Sequence, residues 1–66
     1  MPISLLRLPA VMERVGYRRS SIYRLIESGD FPQPIRLGPL AIAWPSDEID
    51  RWITNRIEES RREAAK

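Results

Sequence analysis

The chain has no cysteine and no histidine, and its single lysine is Lys66. Without cysteine, no disulfide and no thiolate zinc site can brace a small fold. Without histidine, the commonest general acid/base and metal ligand is missing. The carboxylates, hydroxyls and two tyrosines that remain form no catalytic constellation. No catalytic residue, metal site, cofactor or small-molecule ligand is therefore predicted, and the chain reads as a non-enzyme. No apolar run approaches membrane-spanning length. The opening Met1-Pro2-Ile3-Ser4-Leu5-Leu6-Arg7 lacks the apolar stretch of a signal peptide. A cytoplasmic protein with no membrane partner is the expectation.

What is present fits one domain of 66 residues, with an ordered core expected over about residues 5–58. A chain this short buries only about 60% of its unfolded surface, so helix packing has to supply the stability. The formal net charge of +2 conceals an asymmetry. Residues 1–45 hold six arginines (Arg7, Arg14, Arg18, Arg19, Arg24, Arg36) against three acids, a balance of +3. Residues 46–66 hold five bases against six acids, a balance of −1. Every base except Lys66 is arginine, whose planar fork suits phosphate and guanine.

Three helical patterns and one hairpin are legible. Leu8, Val11, Met12 and Val15 recur at one-face spacing, with Pro9 near the start and Gly16 as the stop. Ile22, Leu25 and Ile26 form the stripe of a second helix over about Arg19–Ser28, which Gly29 and the prolines at 32 and 34 end. Two or three residues separate these helices, the spacing of a helix-turn-helix corner. Ile35-Arg36-Leu37 and Ala41-Ile42-Ala43-Trp44 alternate on either side of Gly38-Pro39, which predicts a two-stranded hairpin. Such a hairpin is marginal alone, so its apolar face is expected on the helices, with Arg36 pointing outward, as a wing. After Pro45, Ser46 is the expected N-cap of a third helix, with Asp47 and Glu48 in its first turn. Ile49, Trp52, Ile53 and Ile57 form its apolar face; beyond Glu58 the sequence is polar all round, and residues 59–66 are expected to fray. The fold predicted is mainly α with a small β-hairpin: a winged helix-turn-helix of three helices and a two-stranded wing.

The chemistry concentrates between Gly16 and Ile26. With Ile22, Leu25 and Ile26 turned inward, the opposite face presents Arg19, Ser20, Tyr23, Arg24 and Glu27, with Arg18 just ahead and Ser21 in the first turn. Arginines, hydroxyls and a phenol on the first turns of a helix suit the base edges and phosphates of double-stranded DNA. The helix N-terminus adds unpaired amides and a partial positive charge. An ordinary solvated face is the plainer alternative, but it mixes lysine and glutamate with its arginines. Tyr23 fits two roles, a hydroxyl donor to phosphate or a lid on the core. Arg36 is a further candidate phosphate contact. Trp44 and Trp52 lie in register with apolar stripes and are assigned to the core rather than to base stacking.

In order along the chain stand Leu5-Leu6-Arg7-Leu8-Pro9, the Gly16–Ile26 run, Gly29-Asp30-Phe31-Pro32, Leu37-Gly38-Pro39, and Trp44-Pro45 followed by Glu48-Ile49-Asp50-Arg51-Trp52. This succession, over residues 5 to about 57, resembles the AlpA family of phage and prophage regulators, relatives of excisionases within the MerR-like winged-helix group. The resemblance implies a bacterial or prophage transcription regulator at the nucleoid, or a recombination directionality factor that bends DNA. Two departures stand out. The family usually has serine, a helix cap, at the position of Arg18, and arginine or another polar residue at that of Leu40.

A reading of another class is a protein-interaction module that docks through the third helix or Leu40. A DNA-packaging subunit would need a larger oligomerisation region. One short recognition helix reads few base pairs, so cooperative self-association on DNA is expected, with the free chain mainly monomeric.

Overall fold

A computed structural model describes residues 2–64. The elements are β1 (Leu5–Leu6), α1 (Leu8–Val15), α2 (Arg19–Ser28), β2 (Ile35–Gly38), β3 (Ala41–Pro45) and α3 (Ser46–Ala64). The first two helices end as their glycines dictate. Gly16 and Gly29 adopt left-handed φ of 75° and 83°, and their amides close the last turns by donating to Met12 and Ile26 carbonyls.

Each predicted helical stripe reaches the core, except that Ile57, expected on the apolar face of the third helix, is 46% exposed. Val11 from α1, Ile22 from α2, Trp44 from β3 and Ile49 from α3 are fully buried, with Phe31 from the connecting turn among them. Leu8, Met12, Val15, Leu25, Ile26, Trp52 and Ile53 pack around this centre. Trp44 is a core residue and Trp52 is half-buried at the core's margin, and each also fastens the α2–β2 turn. The Trp44 indole N–H donates to the Pro32 carbonyl at 2.9 Å, and that of Trp52 to the Asp30 carbonyl at 2.7 Å. Phe31 meets both rings edge-on, with centroids at 6.4 and 4.9 Å. The proline-rich turn is thus held by aromatic packing and two indole hydrogen bonds.

The sheet corrects two expectations. It has three strands in the order β1-β3-β2, not two. The added strand pairs Leu5 with Pro45 and Leu6 with Trp44. Ser4 and Ser46 complete the join: the Ser46 amide donates to the Ser4 carbonyl, and the Ser46 hydroxyl accepts the Ser4 amide. That hydroxyl, expected to cap α3, therefore ties the N-terminal strand to the helix start. Two-residue strands leave almost no periodic signal, which is why β1 is not legible in the sequence.

The second correction concerns the wing's faces. Trp44 and Ile42 pack on the core, and across from Ile42 stands Arg36, while Ile35 stands across from Ala43. Opposed residues share a face, so Arg36 lies on the core side of the sheet, and Ile35 on the outer side. Arg36 itself remains exposed. A bulge between Arg36 and Gly38 interrupts the alternation, and Ile35 and Leu37 are both exposed rather than packed on helices. The bulky Trp44 fixes the register because it cannot be left in solvent, and β2 follows.

The third helix runs unbroken to Ala64, past the point where fraying is expected, although every residue from Thr54 to Ala64 is exposed. Ala65 and Lys66 of the expected tail lie outside the described residues.

Candidate nucleic-acid interface

The candidate interface is built on α2, which three residues join to α1. Arg18 occupies the N-cap position in extended conformation (φ −79°, ψ 164°) and makes no side-chain capping bond. The N-cap residue of α2 therefore offers its first-turn amides no side-chain acceptor, and carries a positive charge instead. This end of the helix is electropositive from the backbone and from Arg18 alike.

Burial of Ile22 fixes the rotation of the helix. Arg18, Arg19, Ser20, Tyr23 and Arg24 are all exposed; Ser21 is half-buried at the edge of the face. The Arg19 guanidinium lies 5.8 Å from the centre of the Tyr23 ring, and Tyr23 is 37% exposed. The phenol and the arginine thus share one patch of the outer face, the phenol braced by a cation–π contact.

Electrostatic isolation distinguishes this patch. Among the described residues the ion pairs are Arg14–Asp50 at 3.1 Å and Arg51–Asp47 at 3.6 Å. Arg18, Arg19, Arg24 and Arg36 take part in neither. Among the described residues no carboxylate compensates these charges, which are open to an external anion. Arg14, counted with the basic N-terminal part, is instead engaged by α3.

The wing ends at the tip formed by Pro39 and Leu40, and Leu40 is 99% exposed. With Ile35 and Leu37 it gives the wing an apolar surface that strict alternation does not anticipate. Gly38 beside the hairpin turn is the signal that finds it, because glycine next to a turn marks a possible bulge. Among the described residues no cluster of carboxylates could hold a metal ion, and no helix is long and apolar enough to cross a membrane.

A helix-turn-helix corner, a helix that carries exposed arginines on its outer face, and a hairpin beside it define a winged helix-turn-helix protein. Within that class, the chain belongs to the AlpA family: the family model described as Prophage CP4-57 regulatory protein (AlpA) matches residues 4–57. It is 44% identical over 52 residues to the protein ORF88 of Enterobacteria phage P4, a match covering 79% of this chain but only 59% of that protein. It is 33% identical over 62 residues to the DNA-binding transcriptional activator AlpA of Escherichia coli K12, covering 85% of this chain and 89% of that protein.

Proposed function

We propose that this chain is a sequence-specific double-stranded-DNA-binding regulator of prophage or mobile-element genes, and not an enzyme. The observation that carries the reading is the outer face of α2, where Arg18, Arg19 and Arg24 are exposed and outside both ion pairs of the described residues. Membership of a prophage regulatory family and likeness to a DNA-binding transcriptional activator support it. In this reading α2 enters the major groove. Arg19 and Arg24 reach base edges or phosphates, Ser20, Ser21 and Tyr23 donate hydroxyls, and Arg18 neutralises a phosphate at the helix N-terminus. The hairpin follows as a wing, with Arg36 on the flanking backbone.

Anisotropy of a labelled duplex at several salt concentrations tests this. Neutralising four to six phosphates gives a slope of log affinity on log salt of roughly −4 to −5. A flat response, or no binding at low salt, would remove DNA from the account. The same titration on a duplex with paired fluorophores separates simple regulation from the excisionase-like alternative, because only the latter bends the DNA strongly.

A single module of this size buries roughly 600–1,000 Å² on DNA, too little to select one genomic site. Cooperative self-association on DNA belongs to the same proposal, the free chain being mainly monomeric at micromolar concentration. Equal affinity per site on one-site and two-site duplexes would sink the cooperativity. The exposed tip at Leu40 favours a second reading, a protein contact made through the wing.

A further inference from the structure

The core takes Ile49 from α3, and Trp52 and Ile53 pack at its margin. From Thr54 to Ala64 the helix carries eleven consecutive exposed residues, an overhang of about 16 Å at 1.5 Å per residue. The radius of gyration, 12.9 Å, exceeds the roughly 11 Å of a compact chain of this length for the same reason. A free helix of this length is marginal in water. This one also leaves Ile57 46% exposed, beside Tyr17 at 41%. Val15, Tyr17, Ile53 and Ile57 line an open groove on the flank of the overhang.

The overhang is complementary to itself when reversed. Ile53, Ile57, Ser60 and Ala64 succeed one another at four, three and four residues, which places them on one line. The inner end of that line is bulky and the outer end small. Laid antiparallel against a second copy, Ile53 meets Ala64 and Ile57 meets Ser60, so large faces small at each level. Arg56 and Glu63, seven residues apart, flank the line on one side. The same reversal brings Arg56 of each copy beside Glu63 of the other, twice. On the opposite side Thr54 of each copy faces Arg61 of the other, while Glu58 and Glu59 fall nearest their own counterparts and oppose the pairing.

We infer that α3 is a self-association surface, on which the overhangs of two copies of this chain pair antiparallel about a two-fold axis near Glu58 and Glu59. The inference gives the cooperativity proposed above a surface, and rests on that reading for its purpose. The pairing itself requires no DNA. A stable interface buries about 800 Å² per partner, and a stripe about 16 Å long supplies less. The pair is therefore weak in free solution and strengthens when DNA holds two copies close together.

Sedimentation equilibrium of the full chain without DNA tests the pairing. Self-association is expected with a dissociation constant of about 0.1–1 mM. Ile57→Lys abolishes it, and Arg56→Glu and Glu63→Arg each weaken it about tenfold or more. An equimolar mixture of those two variants regains the wild-type level, because the mixed pair rebuilds both ion pairs while each variant alone opposes like charges. All three positions are exposed, so helical circular dichroism and melting are retained. Arg56 also lies 5.0 Å over the Trp52 ring; should Arg56→Glu melt early, Glu63→Arg and Ile57→Lys still decide. A wild-type chain that stays monomeric throughout overturns the inference. So does association indifferent to Ile57→Lys, or a mixture no better than its parts. Association lost in Leu40→Ser but kept in the α3 variants moves the contact to the wing. Salt-dependent binding to a one-site duplex is unaffected by any of these outcomes, so failure of the pairing and failure of DNA binding remain distinct.

Discussion

The arginines of α2 and those that meet α3 are the same residue put to opposite uses. On α3, Arg51 pairs with Asp47 one turn away, Asp50 takes Arg14 from α1, and Arg56 lies over the Trp52 ring. On α2 and just ahead of it, Arg18, Arg19 and Arg24 have no carboxylate partner among the described residues. Local sequence decides it for Arg51, and the packing of α1 against α3, across 36 residues, decides it for Arg14. The first turn of α3 carries Asp47 and Glu48, whereas the first turn of α2 carries no acid. A carboxylate in the right turn converts an arginine into scaffold, and its absence leaves the charge for a ligand. Placed on the outer face of a helix whose inner face is fixed by Ile22, such charges form a patch that the fold itself does not consume.

The largest effect is expected where the scaffold itself is removed. Trp44 is fully buried, anchors the sheet register and holds Pro32 through its indole N–H. Trp44→Ala is expected to cost about 3–5 kcal/mol. That is a large share of the roughly 3–10 kcal/mol that a domain of this length possesses. Urea unfolding followed by circular dichroism measures it, and a midpoint close to wild type would show that the core is centred elsewhere.

Arg19→Ala and Arg24→Ala come next, and here stability and binding should separate. Both side chains are exposed and outside both ion pairs, so melting changes little. Duplex affinity falls instead, by about 1–3 kcal/mol at one base position where the side chain reads guanine, or uniformly across sequences where it holds a phosphate. A melting temperature that collapses in either variant would place that arginine in the scaffold.

Gly29→Ala has a smaller effect, and a purely conformational one. A Cβ at this position meets nothing within 4 Å, but φ is 83°, which disfavours an L side chain by about 1–2 kcal/mol. Thermal melting should register that loss with DNA affinity per folded molecule unchanged. A neutral result would mean that the α2 end relaxes freely and that the aromatic clamp on Asp30 and Pro32 alone positions the turn.

The helices were legible because burial imposes a period. Val11, Ile22 and Ile49 each belong to a stripe that the spacing alone identifies, and Gly16 and Gly29 mark the stops. The exposed patch on α2 follows from the same rotation, since whatever is not turned inward must be turned out. The sheet was less legible because its signals are short and cooperative. β1 exists through pairing with Pro45 and Trp44, neither of which marks Leu5-Leu6 as a strand beforehand. The orientation of Arg36 depends on a bulge one residue away and on Trp44 in another strand. Phe31 reads as part of a proline-rich turn, and only the two tryptophans make it core. Local periodicity reports what one element buries; it does not report what a neighbouring strand or ring will cover.

The smallest expected effect sharpens the contrast most, because it concerns an arginine that looks like its neighbours in the sequence. Arg14 lies in the basic N-terminal part and contributes to its charge balance, yet its Nη1 donates to Asp50 at 3.1 Å. The pair is partly solvated, with side chains 45% and 63% exposed, and exposed pairs contribute only about 0–1 kcal/mol. Arg14→Ala should therefore lower stability by at most about that amount, and Asp50→Asn by a similar amount. The double variant should match either single one, because the interaction is lost once. On DNA, Arg14→Ala should leave the salt slope unchanged, whereas Arg24→Ala, if it holds a phosphate, reduces the slope by about one. Arg14, which has a carboxylate partner where the α2 arginines have none among the described residues, is the clearest case. A reduced slope in Arg14→Ala would mean that the Asp50 pair opens on binding and that the DNA footprint extends from α2 onto α1.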